Sequence, residues 1–327
     1  MKTIVYTCPY VPAEWIAAHG LQPRRLIPQP VEGTSTIPRL EGLCPYARAF
    51  VNDVAASKDV DGVIVTTMCD QMRRIFDLLV RRIDVPAFLL NVPSTWQTAA
   101  AQRLYLDELK RLGRFLVRLG GREPDRKGLT DAITQCSIGK ELVDLYPVIT
   151  PPESLIGPLL CVMQQVRHSL DAESRRYAED ARGVPIGVIG GPLMERDQVL
   201  FRVIRECGGE TAFDGTETGY RTVRNLDSRH LSGNPLEDLA EAYFRLPDPS
   251  RRPNGEFYKW LKDKAACRDV RGLLLHHYVW CDKWHAEFER IKEWTKLPTL
   301  RLDSEGEGEM NSLRVRNRIH AFVETLR

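Results

Sequence analysis

One pattern occurs twice in this sequence and limits the folds that the chain can adopt. In each copy a run of apolar, strand-like residues ends near a Cys-Asp pair, Cys69-Asp70 in the first and Cys281-Asp282 in the second. An amphipathic helical segment follows, and a proline opens the next strand 17 residues after the cysteine, at Pro86 and at Pro298. The matched spacing predicts two related α/β lobes, each with a cysteine where a strand ends and a helix begins.

Strand-like and helical segments alternate through both halves of the chain, which favours parallel sheets with crossover helices. The predicted strands are Lys2–Thr7, Arg24–Ile27, Val63–Thr67, Ala87–Val92, Ile186–Ile189, Thr211–Phe213, Gly272–His276 and Thr299–Leu302. Pro147–Pro152 breaks the pattern and marks a domain boundary. We therefore predict an α/β fold of two related lobes with parallel sheets and flanking helices. The N-terminal lobe, with a helical extension, covers residues 1–150, the C-terminal lobe covers 151–327, and the ligand site lies in the cleft between them.

Composition and charge exclude several classes of function. Lys and Arg number 46 against 44 Asp and Glu, so the formal net charge of +2 favours neither nucleic acid nor an anionic membrane surface as a partner. The longest apolar stretches, such as Leu159–Met163, are far shorter than the roughly 20 residues that span a bilayer. The N-terminus lacks the features of a signal peptide, and we expect a cytoplasmic protein.

Eight cysteines are spread along the 327 residues, and no two are closer than 14 positions. In a reducing compartment this spacing argues against disulfides, and it lacks the C-x2-C runs of zinc ribbons and ferredoxin-type clusters. A metal site must therefore gather single cysteines from separate loops. Cys8, which follows the first strand, is a candidate to line the cleft. Four others have no such context and are interpreted as structural: Cys136, Cys161, Cys207 and Cys267.

Cys69 and Cys281 each precede a helix, where unpaired N–H groups and the helix dipole favour the thiolate, the form that binds metals. If the two lobes face each other, these thiols meet across the cleft, and Cys44 supplies a third sulfur from a Gly-Leu-Cys-Pro-Tyr turn. Three thiolates leave one iron of a four-iron cluster without a protein ligand, and that iron is free to bind a substrate oxygen. Asp70 and Asp282 are interpreted as the N-caps of the two helices.

These residues resemble motifs of the 2-hydroxyacyl-CoA dehydratase family, of the D-component type that also includes benzoyl-CoA reductase subunits. The resemblance extends over nearly the whole chain and depends on the order and spacing of its fragments. They are Tyr10–Gly20 (YVPAEWIAAHG), Leu43–Arg48 (LCPYAR), Thr67–Arg74 (TMCDQMRR), Trp280–Asp282 (WCD) and Arg318–Phe322 (RIHAF). In the last fragment the chain departs from the family pattern, because His320 stands where the family usually has glutamate.

The resemblance implies that Cys44, Cys69 and Cys281 bind a 4Fe-4S cluster, and that the protein is an iron-sulfur subunit for low-potential one-electron chemistry on an acyl-CoA. It implies three partners: the acyl-CoA substrate, an ATP-hydrolysing iron-sulfur activator that supplies the electron, and a homologous second subunit or a second copy in a homodimer. In the family's dehydratases the electron forms a ketyl radical on the thioester before the hydroxyl group leaves. Glu14 matches an early glutamate of the family and is the catalytic candidate, although the helix dipole explains a carboxylate there equally well.

Several alternatives stay open at this point. A non-catalytic electron-relay subunit would carry the same cluster, and a double-cubane reductase of small molecules would use about six thiolates of the eight present. Gly190-Gly191, between a strand and a helix, is a candidate phosphate cradle, although a tight turn also requires glycine. A zinc site is the last alternative, with ligands drawn from His276, His277, Cys281 and His285.

Overall fold

The structure, a computed structural model, describes residues 1–29, 42–145, 183–219, 221, 226, 231–306 and 309–327, and of residues 137–145 it describes the backbone alone. The boundary predicted near residue 150 and Cys161 lie outside this set. Within it, two parallel sheets of four strands each form the centres of two α/β lobes with flanking helices. The predicted fold class is confirmed.

The first sheet has the strand order β2-β1-β3-β4, and its neighbouring strands are parallel. Its strands are β1 (Thr3–Tyr6), β2 (Gln22–Arg25), β3 (Gly62–Thr66) and β4 (Ala87–Leu90). Every residue of β3 is buried, as expected for a strand in the middle of a parallel sheet that helices cover on both faces. The strand predicted at Arg24–Ile27 begins two residues earlier, at Gln22, because Gln22 pairs with Thr3 of β1.

The second sheet repeats this arrangement with the order β6-β5-β7-β8, again with parallel neighbours. Its strands are β5 (Val184–Gly190), β6 (Gly209–Gly215), β7 (Gly272–Tyr278) and β8 (Thr299–Ser304). Strands β5 to β8 therefore correspond in order to β1 to β4. The relationship between the lobes that the sequence predicted is present in the topology of the two sheets.

Helices cover both faces of each sheet. The first half contains α1 (Ala13–Ala18), α2 (Pro45–Ala56), α3 (Asp70–Arg82), α4 (Ala99–Arg118) and α5 (Arg126–Leu145). The second half contains α6 (Val199–Glu206), α7 (Pro235–Phe244), α8 (Gly255–Cys267), α9 (Asp282–Thr295) and α10 (Leu313–Leu326). None of the described helices is both long enough and apolar enough to cross a membrane.

The core of each lobe follows from the alternation of side chains along the strands. In β1, Ile4 belongs to the cluster that packs against α4, whereas Val5 belongs to the cluster on the opposite face, with α2 and α3. Helix α3 presents a stripe spaced three and four residues apart, with Met72, Ile75 and Leu79 buried against that face. The second sheet is covered in the same way by α6 and α10 on one face and by α8 and α9 on the other.

Helix α7 joins the two lobes. It follows β6 in sequence, but its buried residues Leu239, Tyr243 and Phe244 belong to the core cluster of the first lobe. The rings of Phe244 and Tyr105 stack with their centroids 5.1 Å apart, and Ala13 N donates to Tyr243 Oη at 3.2 Å. A segment from the second half of the chain therefore completes the first hydrophobic core, and this packing holds the lobes against each other.

Candidate functional site

A cavity of about 60 Å³ lies where the carboxyl ends of β1, β3 and β7 come together. In parallel α/β sheets this is the edge at which ligands bind. Residues of both lobes line the cavity, and they include four cysteines: Cys8, Cys44, Cys69 and Cys281. The structure therefore brings the three cysteines selected from the sequence to one place, together with Cys8.

The three selected cysteines share one structural position. Cys44 is the N-cap of α2, where its Sγ accepts a hydrogen bond from Ala47 N at 3.4 Å, and Cys69 and Cys281 are the N-caps of α3 and α9. The interpretation of Asp70 and Asp282 as caps is wrong by one residue. The non-helical backbone angles fall on the two cysteines, and each aspartate is the first helical residue. Three helix N-termini therefore meet at the cavity.

The thiols of the cavity are protonated in the metal-free protein. Burial raises the pKa of Cys8 and of Cys281 to about 12, and it also raises the pKa of Cys69. The pKa of Cys44 is raised first by burial and then by the neighbouring sulfurs of Cys69 and Cys281. Burial therefore outweighs the expected effect of the helix dipoles, and a metal must displace these protons when it binds.

A network of four charged side chains borders the thiols. Lys283 Nζ contacts Glu217 Oε1 and lies 3.7 Å from Asp248 Oδ2. Arg221 Nη1 lies 3.2 Å from Asp248 Oδ2, and Arg221 Nη2 lies 3.8 Å from Glu217 Oε1. Burial opposes the charge of Asp248, but Lys283 and Arg221 together hold the pKa of this carboxyl at about 2. The Asp248 carboxylate therefore stays charged in a largely buried environment, between the side chains of Lys283 and Arg221.

Lys283 and Glu217 act on the pKa values of Cys8, Cys69 and Cys281 in opposite directions, with Lys283 lowering them and Glu217 raising them. Burial works against the ammonium charge of Lys283, but Asp248 and Glu217 raise its pKa well above the ordinary value. The ammonium in turn lowers the pKa of Cys69 and Cys281, against the larger opposing effect of burial. A fixed positive charge next to thiols at helix N-termini suits an anionic group held in the cavity.

Aromatic and hydroxyl side chains form the rest of the wall. Tyr46 and Tyr278 are buried, with ring centroids 6.1 Å apart, and Tyr46 Oη shares a 2.5 Å hydrogen bond with Thr7 Oγ1. Thr66 Oγ1 donates to Cys8 Sγ at 3.0 Å. Three tryptophans lie near Cys281 in sequence. Trp284 is buried, whereas Trp280 is 62% exposed and Trp294 is 53% exposed.

Glu14, the catalytic candidate of the sequence analysis, does not line the cavity. It is buried in α1, where its Oε2 accepts a hydrogen bond of 2.5 Å from Tyr243 Oη, so it connects α1 to α7. Tyr243 in turn accepts from Ala13 N. The contacts of Glu14 among the described residues are structural, and its catalytic role stays a prediction.

The histidines of the zinc alternative do not form a ligand set. His276 is fully buried in β7, and neither ring nitrogen has a hydrogen-bond partner within the described ranges. His277 and His285 face each other with their ring centroids 5.9 Å apart. Within the part of the chain that the structure describes, no group of three or more His, Cys, Asp or Glu side chains is placed to hold a metal ion.

The other motifs also have defined places. Gly190 has a φ of +142°, and a Cβ there would lie 1.9 Å from the carbonyl oxygen of His276, so this position requires glycine for packing. Gly191 lines the cavity. Cys207 packs in the core of the second lobe as expected, and Cys267 is exposed at the end of α8. Cys136 lies on α5 and does not line the cavity.

Sequence reasoning missed the charge network. Glu217 follows β6, Asp248 follows α7, and Arg221 lies four residues after Glu217, so no local pattern connects them. Lys283 had the one usable signal, because it comes two residues after a selected cysteine and its long side chain reaches back over the helix N-terminus. A single lysine in the sequence gave no reason to expect that its side chain is buried beside the carboxylates of Glu217 and Asp248.

Comparison with known proteins gives one extensive match. The model of the family described as 2-hydroxyglutaryl-CoA dehydratase, D-component, matches residues 8–326. No curated protein matches the chain. Two solved structures of the SBP FpvC from Pseudomonas aeruginosa align over nearly the full length. The structure of FpvC in complex with Mn²⁺ is 13% identical in sequence, with a TM-score of 0.25, and the alignment covers 99% of this chain and 98% of the FpvC chain. The structure of FpvC in complex with Ni²⁺ is 12% identical in sequence, with a TM-score of 0.22, and the alignment covers 100% of this chain and 95% of the FpvC chain. These TM-scores are too low to support an argument.

Proposed function

Because the chain belongs to the family of 2-hydroxyglutaryl-CoA dehydratase D-components, we propose that it is the iron-sulfur subunit of a 2-hydroxyacyl-CoA dehydratase-like enzyme. In this proposal Cys44, Cys69 and Cys281 hold a 4Fe-4S cluster that serves low-potential, one-electron reductive chemistry on an acyl-CoA. The enzyme is a lyase or a related ATP-dependent reductase. An ATP-hydrolysing iron-sulfur activator and a homologous subunit, or a second copy of this chain, are its protein partners.

One observation carries the proposal. Three cysteines that are distant in sequence cap three different helices, and all three line one cavity at the carboxyl edges of the two sheets. Inert core cysteines have no reason to occupy the same position at the start of a helix. Thiolates are the ligands that iron-sulfur clusters require, and a three-thiolate set leaves one iron for substrate.

The donor set of the cavity is chemically suited to a cluster, because its wall includes the thiols of Cys8, Cys44, Cys69 and Cys281 and thiolates are the ligands of iron-sulfur clusters. Cluster binding would deprotonate three thiols whose pKa values are raised by burial. The resulting negative charge would face three helix N-termini and the ammonium of Lys283.

The cluster, when bound, supplies a low-potential electron. The chain's own residues provide its surroundings. Lys283 holds a positive charge beside Cys69 and Cys281, and the carboxylates of Glu217 and Asp248 fix the position of that ammonium. Buried aromatic side chains exclude water from the wall, and both factors set the potential at which a cluster accepts an electron.

Anaerobic reconstitution with iron and sulfide tests the proposal directly. We expect a brown protein with about four irons per chain and a broad visible absorption band. Replacing Cys44, Cys69 or Cys281 by alanine should remove most of this iron. Cys267→Ala is the matched control, because Cys267 is exposed and does not line the cavity, and it should retain all four irons. A colourless wild-type protein, or equal iron in all four variants, contradicts the proposal.

A second candidate function is favoured by Cys8. This cysteine lines the same cavity, and with it four thiols are available. Four-thiolate ligation closes every iron of the cluster, which suits a non-catalytic electron-relay subunit. Cys8→Ala distinguishes the two functions: a catalytic cluster keeps its irons and its spectrum, whereas a relay cluster loses iron or changes its spectrum. A double-cubane centre, with about eight irons per chain, would need more thiols than the four that the described residues bring to this cavity.

A further inference from the structure

A cleft of about 830 Å³ lies on the first lobe, bordered by α1, α4, the segment that joins α4 to α5, and the first residues of α7. Its volume is within the roughly 300–1,000 Å³ that small-molecule sites occupy. No described residue lines both this cleft and the thiol cavity. The cleft is therefore a concave site that the proposed function does not use.

The cleft lies toward the opposite edge of the first sheet from the thiol cavity. His19, on its wall, ends α1 shortly before β2, and β2 begins beside Thr3, the first residue of β1. The end of α4 is placed in the same way, because the Leu119 side chain lies over Gly62, the first residue of β3. Since β1 is four residues long, the two edges of the sheet are about 13 Å apart. A ligand in the cleft is therefore remote from the thiols.

A positively charged stripe of α4 faces the cleft. Lys110, Arg114 and Arg118 are spaced four residues apart, so they lie on one face of the helix, and Arg126 at the start of α5 adds a fourth cation. Lys110 Nζ lies 3.3 Å from Asp107 Oδ1. Within the described ranges the three arginine side chains have neither an ion pair nor a hydrogen bond, and all three residues are exposed. Their guanidinium groups are available to an anion in the cleft.

Two carboxylates share the wall with these cations. Asp125 Oδ1 accepts a hydrogen bond of 2.7 Å from Gly128 N, which holds the first turn of α5, and Glu123 is the other. The described cations of the wall therefore outnumber its carboxylates by four to two. Arginine binds phosphate oxygens through two parallel hydrogen bonds, so this excess of unpaired guanidinium groups suits a phosphorylated ligand.

The cleft also has a buried polar group with an open acceptor. His19 is 1% exposed, and its Nδ1 lies 2.7 Å from the Trp15 carbonyl oxygen, which only accepts, so Nδ1 carries the hydrogen. Burial lowers the pKa of His19 from its ordinary 6.5, and the ring is neutral at pH 7 with a lone pair on Nε2. Gly113, which also lines the cleft, leaves this atom uncovered, since a Cβ there would lie 3.2 Å from Nε2.

We propose that this cleft binds a nucleotide as a ligand separate from the acyl-CoA, with the phosphate groups on the arginines of α4 and α5. His19 Nε2 accepts a hydrogen bond from a hydroxyl or amino group of the nucleoside. A nucleotide has both a strongly anionic part and such donors, whereas an inorganic polyphosphate has only the anionic part. The cluster takes no part in this binding, because the cleft lies toward the other edge of the sheet.

Equilibrium binding of ADP to the full-length chain at pH 7.5 tests the inference. We expect saturable binding of one ADP per chain. Replacing Arg114 and Arg118 together by alanine should weaken ADP at least about tenfold, because hydrogen bonds between charged groups contribute more than neutral ones. Arg103→Ala is the matched control, since Arg103 is an exposed arginine of the same helix that does not line the cleft, and it should bind ADP as wild type does.

His19→Phe gives a second readout. It keeps an aromatic ring but removes the Nε2 acceptor, so ADP should bind about fivefold more weakly through the loss of one hydrogen bond. Inorganic tripolyphosphate, which has no nucleoside, should bind to His19→Phe and to wild type equally. If ADP binds equally to both proteins, the imidazole does not contact the nucleoside and the inference is overturned.

Two further results would also overturn the inference. One is the absence of saturable ADP binding, or equal ADP affinity in the double arginine variant and in Arg103→Ala. The other concerns the source of the nucleotide. Saturating ADP should leave lactoyl-CoA binding to the cluster-loaded protein unchanged, and mutual exclusion of the two ligands would make the cleft a part of the CoA site.

Discussion

Cys69 and Cys281 occupy equivalent positions in the two lobes, each as the N-cap of the helix that follows the third strand of its sheet, and both line the same cavity. Each lobe alone presents one such thiol. A cluster held by both therefore depends on how the lobes pack, and the interface between them is a part of the site.

The first prediction concerns Lys283. Replacing it by methionine leaves Glu217 and Asp248 with Arg221 as their remaining cation in the described network. Removing one partner from a buried set of ion pairs costs about 3 kcal/mol. Urea unfolding of the metal-free protein at neutral pH should show this loss in the free energy of unfolding. In the reconstituted protein, the same change should make the cluster harder to reduce, because a positive charge beside it has been removed.

The control for Lys283 lies on the same helix. Lys292 forms a 3.1 Å ion pair with Glu289, and both side chains are substantially exposed. Lys292→Met should change the free energy of unfolding by less than about 1 kcal/mol and leave the reduction potential unchanged. Equal effects of the two substitutions would show that Lys283 contributes no more than a surface lysine does.

The second prediction concerns thiol reactivity in the metal-free protein. Iodoacetamide should modify the exposed Cys267 well before the buried Cys281, as measured by mass spectrometry of the peptides. With a pKa of about 12, only about one Cys281 thiol in ten thousand is ionised at pH 8. Raising the pH increases the thiolate fraction, so the Cys281 rate should rise about tenfold per pH unit below pH 12. If Cys281 reacts as fast as Cys267 at pH 8, its thiol is not buried as described.

The sequence predicted the parts of the site that depend on short-range patterns of residues, namely the cysteines at the junctions between strands and helices. A cysteine between an apolar strand and an amphipathic helix is visible in the order of residues, and the repeated spacing pairs Cys69 with Cys281. The cap position was misassigned by one residue, since the spacing of apolar residues does not show where backbone angles become helical. Strand ends shifted for the same kind of reason, because pairing with the neighbouring strand determines them.

Long-range electrostatics and packing were outside the reach of the sequence. Asp248 follows α7 and Lys283 lies in the first turn of α9, and only the folded chain shows that each offsets the cost of burying the charge of the other. The position of α7 was equally hidden, since its apolar stripe indicates that it is buried but does not show which lobe buries it. The thiol pKa values show the same limit, because helix N-termini are visible in sequence and the depth of burial is not.

The third prediction concerns Gly190 at the end of β5. Its φ of +142° disfavours any side chain, and a Cβ would lie 1.9 Å from the His276 carbonyl oxygen. Gly190→Ala should therefore force apart the pairing of β5 and β7 and prevent a cooperative thermal transition. Gly233→Ala is the control, since nothing lies within 4 Å of its Cβ position, and it should leave the melting temperature nearly unchanged. A Gly190→Ala protein with wild-type melting would contradict this local geometry.

The fourth prediction concerns His276, whose pKa burial lowers to about 3 from an ordinary 6.5. Between these values the unfolded chain binds a proton that the folded protein does not, so the free energy of unfolding falls as the pH decreases below about 6.5. In this range His276 contributes about 1.4 kcal/mol per pH unit to the slope of the free energy of unfolding against pH. His276→Phe should remove the contribution of His276 to the pH dependence of the free energy of unfolding. His277, whose pKa is also lowered by burial, should still contribute to that pH dependence. Urea unfolding between pH 6 and pH 4.5 measures the difference, and the exposed His320→Gln variant should follow wild type. Parallel pH profiles for wild type and His276→Phe would mean that His276 is protonated in the fold.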